Sequence, residues 1–553
     1  MFKASLAIAA VVLCAACSKA QEPATPKAPL YDNLGNLHHE ITTASPEAQR
    51  YFDQGLTLSY AFNHAEAIRS FRQAAAIDPD CAMCYWGVAY ALGPNINAPI
   101  TPEAAKDAFN AIGQARQRVA KASPNERAYI EALAKRYVAD PKAERPPLDA
   151  AYAAAMRDVV ATFPDDLDAA TLFAQSLMDT SPWNYWNADG SPRAFTNDVI
   201  SSLESVLKRK NDHAGAIHLY IHAVEASPDP KRAEQYADRL PALVPGAGHL
   251  VHMPGHIYLR TGRYHDASAA NENAIKVDAA YKAGNAVAGN MMYDVGYIPH
   301  NPHFFVASAS LEGRRADALR AAEDVRSRVH ADMLRDASMG GMVQHMRLTP
   351  LFTKLRFAMW DEVLAEPLPP QDLPYMQAIS HAARSIAYSA TSRFDEAEKE
   401  LSAVRTATDD ASLKMLYVSG VNVGSAVANI AFEVAAGELR TRQKRGGEAA
   451  KHFAAAVALE DALTYMEPPD WPIPARQMQG AAMLALGRNA EAEVAFGGDL
   501  KKFPNNGWSL SGLYTSRVRQ GRDRDAATIM LQTQLQQAWR RADVQIEAGR
   551  VAR

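Results

Sequence analysis

The chain has 553 residues, 48% hydrophobic and 22% charged, and its 58 Lys and Arg against 62 Asp and Glu leave a formal net charge of −4. Single cores stop growing near ~250–300 residues, so this length implies several domains or an elongated repeat architecture. The near-neutral balance gives no reason to propose nucleic acid as a partner, and 30 Gly, 32 Pro and 4 Cys exclude collagen, wholesale disorder and a disulfide scaffold.

At the N-terminus Lys3 precedes an apolar stretch, Ala4 to Ala16, too short to span a bilayer, and residues 1–20 read as an export signal. The run Leu13-Cys14-Ala15-Ala16-Cys17-Ser18 resembles a bacterial lipobox, with Cys14 standing where that box usually has Leu. The resemblance implies lipidation of Cys17 and an outer-membrane lipoprotein facing the periplasm. Cleavage after Ser18-Lys19-Ala20 is the rival reading, and both export the protein. No later segment has the ~18 uninterrupted apolar residues of a membrane helix, so attachment would be through the N-terminal lipid alone. A tether rich in Pro, Ala and Lys follows within 21–45.

From residue 46 onward nearly every stretch has amphipathic helical spacing and none has sustained strand alternation, which predicts an all-α fold. A period of 34 residues runs through it. Gly55, Ala67, Phe71, Ala74 and Pro79 recur near the other end as Gly480, Gly487, Ala492, Phe496 and Pro504. Small residues at such spacing let two helices approach, and the proline closes the second. Over most of residues 46–540 the pattern resembles the tetratricopeptide repeat superfamily. The resemblance implies an α-solenoid of helical hairpins with a concave groove, and a protein or peptide partner in that groove. The Pro-rich segment 366–374 is the expected break between an N-terminal solenoid, 46–365, and a C-terminal one, 375–553.

Nine of the 16 histidines fall between 213 and 303, where uniform placement would put roughly three. His218, His222 and Glu225 are spaced i, i+4, i+7, and His249, His252 and His256 i, i+3, i+7, which confines each set to about 60° of one helix face. Residues 218 and 252, and 222 and 256, are one 34-residue period apart; His300 and His303 repeat the spacing of His249 and His252 after 51 residues, one repeat plus a 17-residue excess. The tetratricopeptide resemblance implies that all of them face the concave wall. Helices ~8–10 Å apart can share an ion bound at ~2.0–2.1 Å, and imidazole suits copper or zinc. The expected metal ligands are therefore His218, His222, Glu225, His249, His252, His256, His300 and His303. One grouping sets His218, His222 and Glu225 with His256, and His249, His252, His300 and His303 together. Glu225 is also the candidate general base of a metal-dependent hydrolase, whereas all-imidazole sites would point to copper-type oxidation. The alternative is a non-catalytic interaction scaffold at the cell envelope whose histidines contact a peptide.

Pro254-Gly255 interrupts the second histidine set, where Pro costs ~3 kcal/mol and Gly ~1 kcal/mol in a helix interior. Either the break marks a site or Pro254 starts a shorter helix. The block His252-Met253-Pro254-Gly255-His256, with His218-Leu219-Tyr220-Ile221-His222, resembles a group of exported bacterial repeat proteins, which implies a shared site without naming a reaction. Cys81 and Cys84 form a C-x-x-C that reads as a core pair or a disulfide. Trp183, Tyr185 and Trp186, and Glu467 to Trp471, read as core packing or as the frame of a pocket. Zincin, G-x-S-x-G, phosphate-loop and dinucleotide patterns are all lacking.

Overall fold

A computed structural model describes residues 27–284, 286–287 and 289–552. The expected export signal, Cys17 and the first residues of the tether lie outside the described residues. Among the described residues regular structure is helical except for one ribbon, Ile546–Glu547 paired with Arg550–Val551. No helix among them is long and apolar enough to cross a membrane.

Short polar side chains decide where helices begin. Ser45 accepts a hydrogen bond from Ala48 N ahead of the helix Pro46–Tyr60, and Thr101 accepts one from Ala104 N ahead of Pro102–Gln117. Ser123 and Glu126 form a reciprocal capping box on Pro124–Ala134. In all three the first helical residue is Pro, whose missing N–H would have had no partner there.

Sequence neighbours then pair into hairpins, such as Pro46–Tyr60 with His64–Ile77, Pro374–Ala390 with Phe394–Thr408, and Ala475–Ala485 with Asn489–Lys502. One left-handed residue recurs in the turn of these and four further hairpins: Phe62, Gly262, Gly313, Ala358, Ser392, Lys444 and Gly487, with φ between 56° and 77°. The small residues of the repeat do the work expected of them. A Cβ on Gly55 or Gly87 would lie 2.7 or 2.4 Å from the Phe71 ring, and on Gly480 or Gly512 2.7 or 2.1 Å from Phe496. The Pro-rich segment links Trp360–Ala365 to Pro374–Ala390, and one apolar cluster runs from Val295 to Ala475 on both sides of it.

The superhelix closes on itself. Tyr264 OH donates to Pro504 O at 2.7 Å, Trp508 Nε1 to Ser310 O at 2.8 Å, and the Asp543 carboxylate accepts from Arg315 N and Ala316 N at 2.7 and 2.8 Å. Leu259, Phe304 and Phe357 from the middle of the chain and Trp508 and Val544 from its C-terminal part share one apolar cluster. The histidine wall expected to face an open groove is therefore interior: His218, His252 and Glu225 are each 0% exposed. The reason is the return of the last hairpins against Pro254–Thr261 and Ile298–Glu312, which repeat spacing alone does not encode.

Candidate metal centre

Ala214–Val224 carries His218 and His222, with Glu225 at its C-cap. The chain enters the next repeat through a short helix, Gly248–His252, bearing His249 and His252, and restarts at Pro254 in Pro254–Thr261, bearing His256. Pro254 thus begins a helix, where its lost N–H costs little. Ile298–Glu312 supplies His300 and His303.

Two trihistidine clusters result, His218 with His222 and His249, and His252 with His256 and His300, each offering one nitrogen per ring within 4.8 Å of the others. A third set, His222, Glu225 and His256, meets the same limit and keeps part of the expected first grouping, while His218 and His249 join His222 in one cluster and His252 and His300 join His256 in the other. His249 stands beside His218, Nε2 to Nε2 3.1 Å, rather than with His252 and His300. Glu225 spans the clusters: its Oε1 accepts from His222 Nδ1 at 2.8 Å and its Oε2 from His256 Nδ1 at 2.5 Å. His303 is apart, one turn beyond His300 and with its ring 6.0 Å from that of His345; burial lowers it to about 4.

The hydrogen bonds fix the tautomers. Tyr60 O can only accept, so His218 Nδ1, 2.6 Å away, carries its proton. His222 and His256 likewise donate from Nδ1 to the Glu225 carboxylate. Asn271 Nδ2 donates to Ala267 O, which turns Oδ1 toward His252 Nδ1 at 2.8 Å, so that ring too is protonated on Nδ1. Nε2 of His218, His222 and His252 is then a bare lone pair. His252 Nε2 and His256 Nε2 face each other at 2.9 Å, a span that a shared proton or a shared cation bridges. His222 Nε2 and His249 Nδ1 are buried without a hydrogen-bond partner.

Burial and neighbouring imidazoles push His218, His249, His252 and His300 well below the usual histidine range, so the rings stay neutral. At Glu225 burial acts upward, but His256 and His222 win and hold the carboxyl low. Aromatic rings seal the chamber. Phe62, the turn residue of the first hairpin, lies nearly parallel to His222 and His249 with centroids 6.1 and 5.4 Å away, and the Trp183 edge meets His222 at 5.1 Å.

From the far end of the chain Tyr465 OH reaches 3.5 Å from Glu225 Oε2, and Glu467 Oε2 lies 3.6 Å from His256 Nδ1. Burial first, and then the Glu225 charge, drive Glu467 well above the carboxylate range. The Arg260 guanidinium donates to Glu225 O and Ser227 O and sits 5.2 Å from the Tyr465 ring centre. Beyond Trp183 and Glu467 opens a cavity of 590 Å³. Both aromatic segments, at Trp183 and at Glu467 to Trp471, thus frame a pocket. Phe62, Asn271 and the Tyr60 carbonyl carried no sequence signal.

A fourth set of possible ligands, His39, Asp166 and Asp168, is already hydrogen-bonded: Asp168 accepts from His39, His213 and Tyr60 OH, and Asp166 from Asn125 and Tyr129. Cys81 and Cys84 form a buried disulfide.

Residues 48–81 match the tetratricopeptide repeat family model, so the chain carries this repeat in the hairpin that ends in Phe71 and Pro79. No curated protein matches the chain. Among solved structures it is similar to the human IFIT1 dimer with m7Gppp-AAAA, at 10% identity and TM-score 0.32, covering 91% of this chain and 92% of that one. It is also similar to the APC/C hetero-tetramer Cut9-Hcn1, at 12% identity and TM-score 0.32, covering 89% and 73%. Yeast Tom70 matches at 11% identity and TM-score 0.27, covering 89% and 93%.

Proposed function

We propose that this tetratricopeptide-repeat protein is a metalloprotein whose two trihistidine clusters hold a pair of transition-metal ions, with copper the favoured metal. One observation carries the reading: six imidazoles converge in two clusters, and His222 Nε2 and His249 Nδ1 among them are buried without a hydrogen-bond partner. Buried polar groups are ordinarily satisfied, and His252 Nε2 lies 2.9 Å from His256 Nε2, close enough to share one ion. Two nitrogens ~2.0–2.1 Å from one ion at angles of ~90–110° lie ~2.9–3.4 Å apart, which is the spacing the rings adopt. Desolvation makes an imidazolium costly here, whereas neutral imidazole is the ligand form.

Copper is favoured by the donor set. Six imidazole nitrogens face inward, and both oxygens of Glu225 are engaged by ring N–H groups, as outer-sphere carboxylates of metal-bound histidines are. Glu225 is then a link that orients His222 and His256 rather than a ligand or general base. Nothing else in the clusters supplies the carboxylate of a hydrolytic two-metal site. Bound copper would supply one-electron chemistry, and the sealed apolar walls exclude bulk water. The Cys81–Cys84 disulfide supports an oxidising compartment, in keeping with the proposed export. The repeat commonly serves protein binding, but at this wall the returning C-terminal hairpins leave no open groove for a peptide.

Elemental analysis of untagged protein is the test. Two equivalents of copper per chain are expected, falling below one in His222→Ala/His256→Ala with the helical circular dichroism retained. Glu225→Gln, which can no longer accept from both rings, should lose ~10–100-fold in metal affinity in a chelator competition. Zinc in place of copper would replace the oxidative reading, and a metal-free protein that cannot be reconstituted would sink the proposal.

A further inference from the structure

The 590 Å³ cavity is of the size that encloses a small organic molecule. Its walls are aromatic: Trp183, Trp186, Tyr465 and Trp471 line it together with Glu467. Two polar groups in that lining are buried and have no hydrogen-bond partner, both oxygens of Glu467, 4% exposed, and Nε1 of Trp471, 2% exposed. Buried polar groups are normally satisfied, and a pair left open on the wall of one cavity points to a ligand that completes them.

We propose that this cavity binds a phenolic ring, stacked among the tryptophans, with its hydroxyl hydrogen-bonded to Glu467. This deepens the reading of the histidine chamber as a metal centre and rests on it, because Glu467 lies 3.6 Å from His256 and would set the phenol at the edge of that chamber. Held protonated, Glu467 offers one donor and one acceptor, and a hydroxyl, itself both, answers the two together. A flat ring is favoured by the walls. An organic cation fits less well, because the Arg260 guanidinium already lies against Tyr465 and Lys502 stands at the rim, paired with Asp461 at 2.5 Å. The Trp471 N–H remains to meet a carbonyl of the same ligand.

Equilibrium dialysis of the full-length protein, metal-loaded and metal-stripped, against N-acetyl-tyrosinamide, N-acetyl-phenylalaninamide and N-acetyl-lysinamide tests this. The tyrosyl compound should bind at least tenfold more tightly than the phenylalanyl one, and Glu467→Leu should erase the difference while leaving phenylalanyl binding unchanged. Equal binding of the two aromatic compounds, a preference for the lysyl compound, or a preference that survives in Glu467→Leu would each overturn the proposal. Where Glu467→Leu fails to fold, Trp186→Ala replaces it, with tyrosyl binding weakened at least tenfold expected and unchanged binding overturning the proposal. Metal content is measured on the same samples. Phenol binding by a protein that takes up no metal would remove the metal reading and leave the pocket, whereas two metals without phenol binding would do the reverse.

Discussion

A buried imidazole ordinarily keeps both of its nitrogens hydrogen-bonded, and His222 and His249 do not. His222 gives its Nδ1 proton to Glu225 and leaves Nε2 open, His249 Nδ1 has no partner, and His252 Nε2 faces His256 Nε2. An arrangement that forgoes hydrogen bonds at several adjacent positions costs stability unless something else binds there. Other buried groups show the ordinary solution with a measurable signature. Glu460 accepts from Ala475 N at 2.9 Å, and burial raises its carboxyl from 4.5 to about 7. Below pH 4.5 folded and unfolded chains both hold that proton. Between 4.5 and 7 only the folded chain does, so unfolding releases a proton and stability falls as pH rises; above 7 the loss is complete. The span corresponds to at most ~3 kcal/mol. Glu460→Gln removes the titration, so its stability relative to wild type should climb by up to that amount between pH 4 and pH 8. Urea unfolding at pH 4, 6 and 8 checks it, and a constant difference would count against a raised carboxyl. The phase of His218, His222, His249, His252 and His256 was legible in sequence because helical spacing is local. Their tautomers were not, since they depend on Tyr60, Asn271 and the chain's path between repeats.

At the scale of the hairpin the repeat signature reports close packing and is silent about turns. Gly55, Phe71, Gly480 and Phe496 stood out because helices can approach only where a ring fills the space left by absent side chains. The left-handed turn residue recurs just as faithfully, yet it is Gly in three hairpins and Phe, Ala, Ser or Lys in the others, so no residue pattern betrays it. Placing an L side chain there costs ~1–2 kcal/mol. At Phe62 the cost has a return, since the ring held in that turn covers His222 and His249. At Ser392 it has none, because φ is 62° and the side chain is exposed. Ser392→Gly should therefore stabilise the protein by about 1 kcal/mol, less the entropy that glycine restores to the unfolded chain. Equilibrium denaturation of the variant would show a higher midpoint at unchanged slope. A lower midpoint would mean that Ser392 contributes more than its conformation costs.

For the whole molecule, closure converts a groove into a chamber, and it rests on contacts between residues roughly 200 or more positions apart. Glu467 meets His256, Trp508 meets Ser310 and Asp543 meets Arg315. Periodicity cannot encode such meetings, because every repeat contributes the same helical spacing whether the superhelix stays open or returns. Trp508 is the test of closure. It is 2% exposed, donates to Ser310 O, takes the Arg356 guanidinium at 4.0 Å over its ring, and meets Trp539 edge-on at 5.1 Å. Trp508→Ala should cost about 3–5 kcal/mol, and the loss should fall on the joint between the last hairpins and the middle of the chain rather than on the N-terminal hairpins. Two measurements separate that outcome from general unfolding. Hydrogen exchange should quicken in residues 298–312 and 503–519 while the helix Pro46–Tyr60 keeps its protection. A chelator should also strip metal from the variant faster than from wild type, with Trp508→Phe, which retains the ring, falling between the two. If metal leaves all three at one rate, the chamber opens by some route other than the joint, and closure protects nothing that the histidines hold.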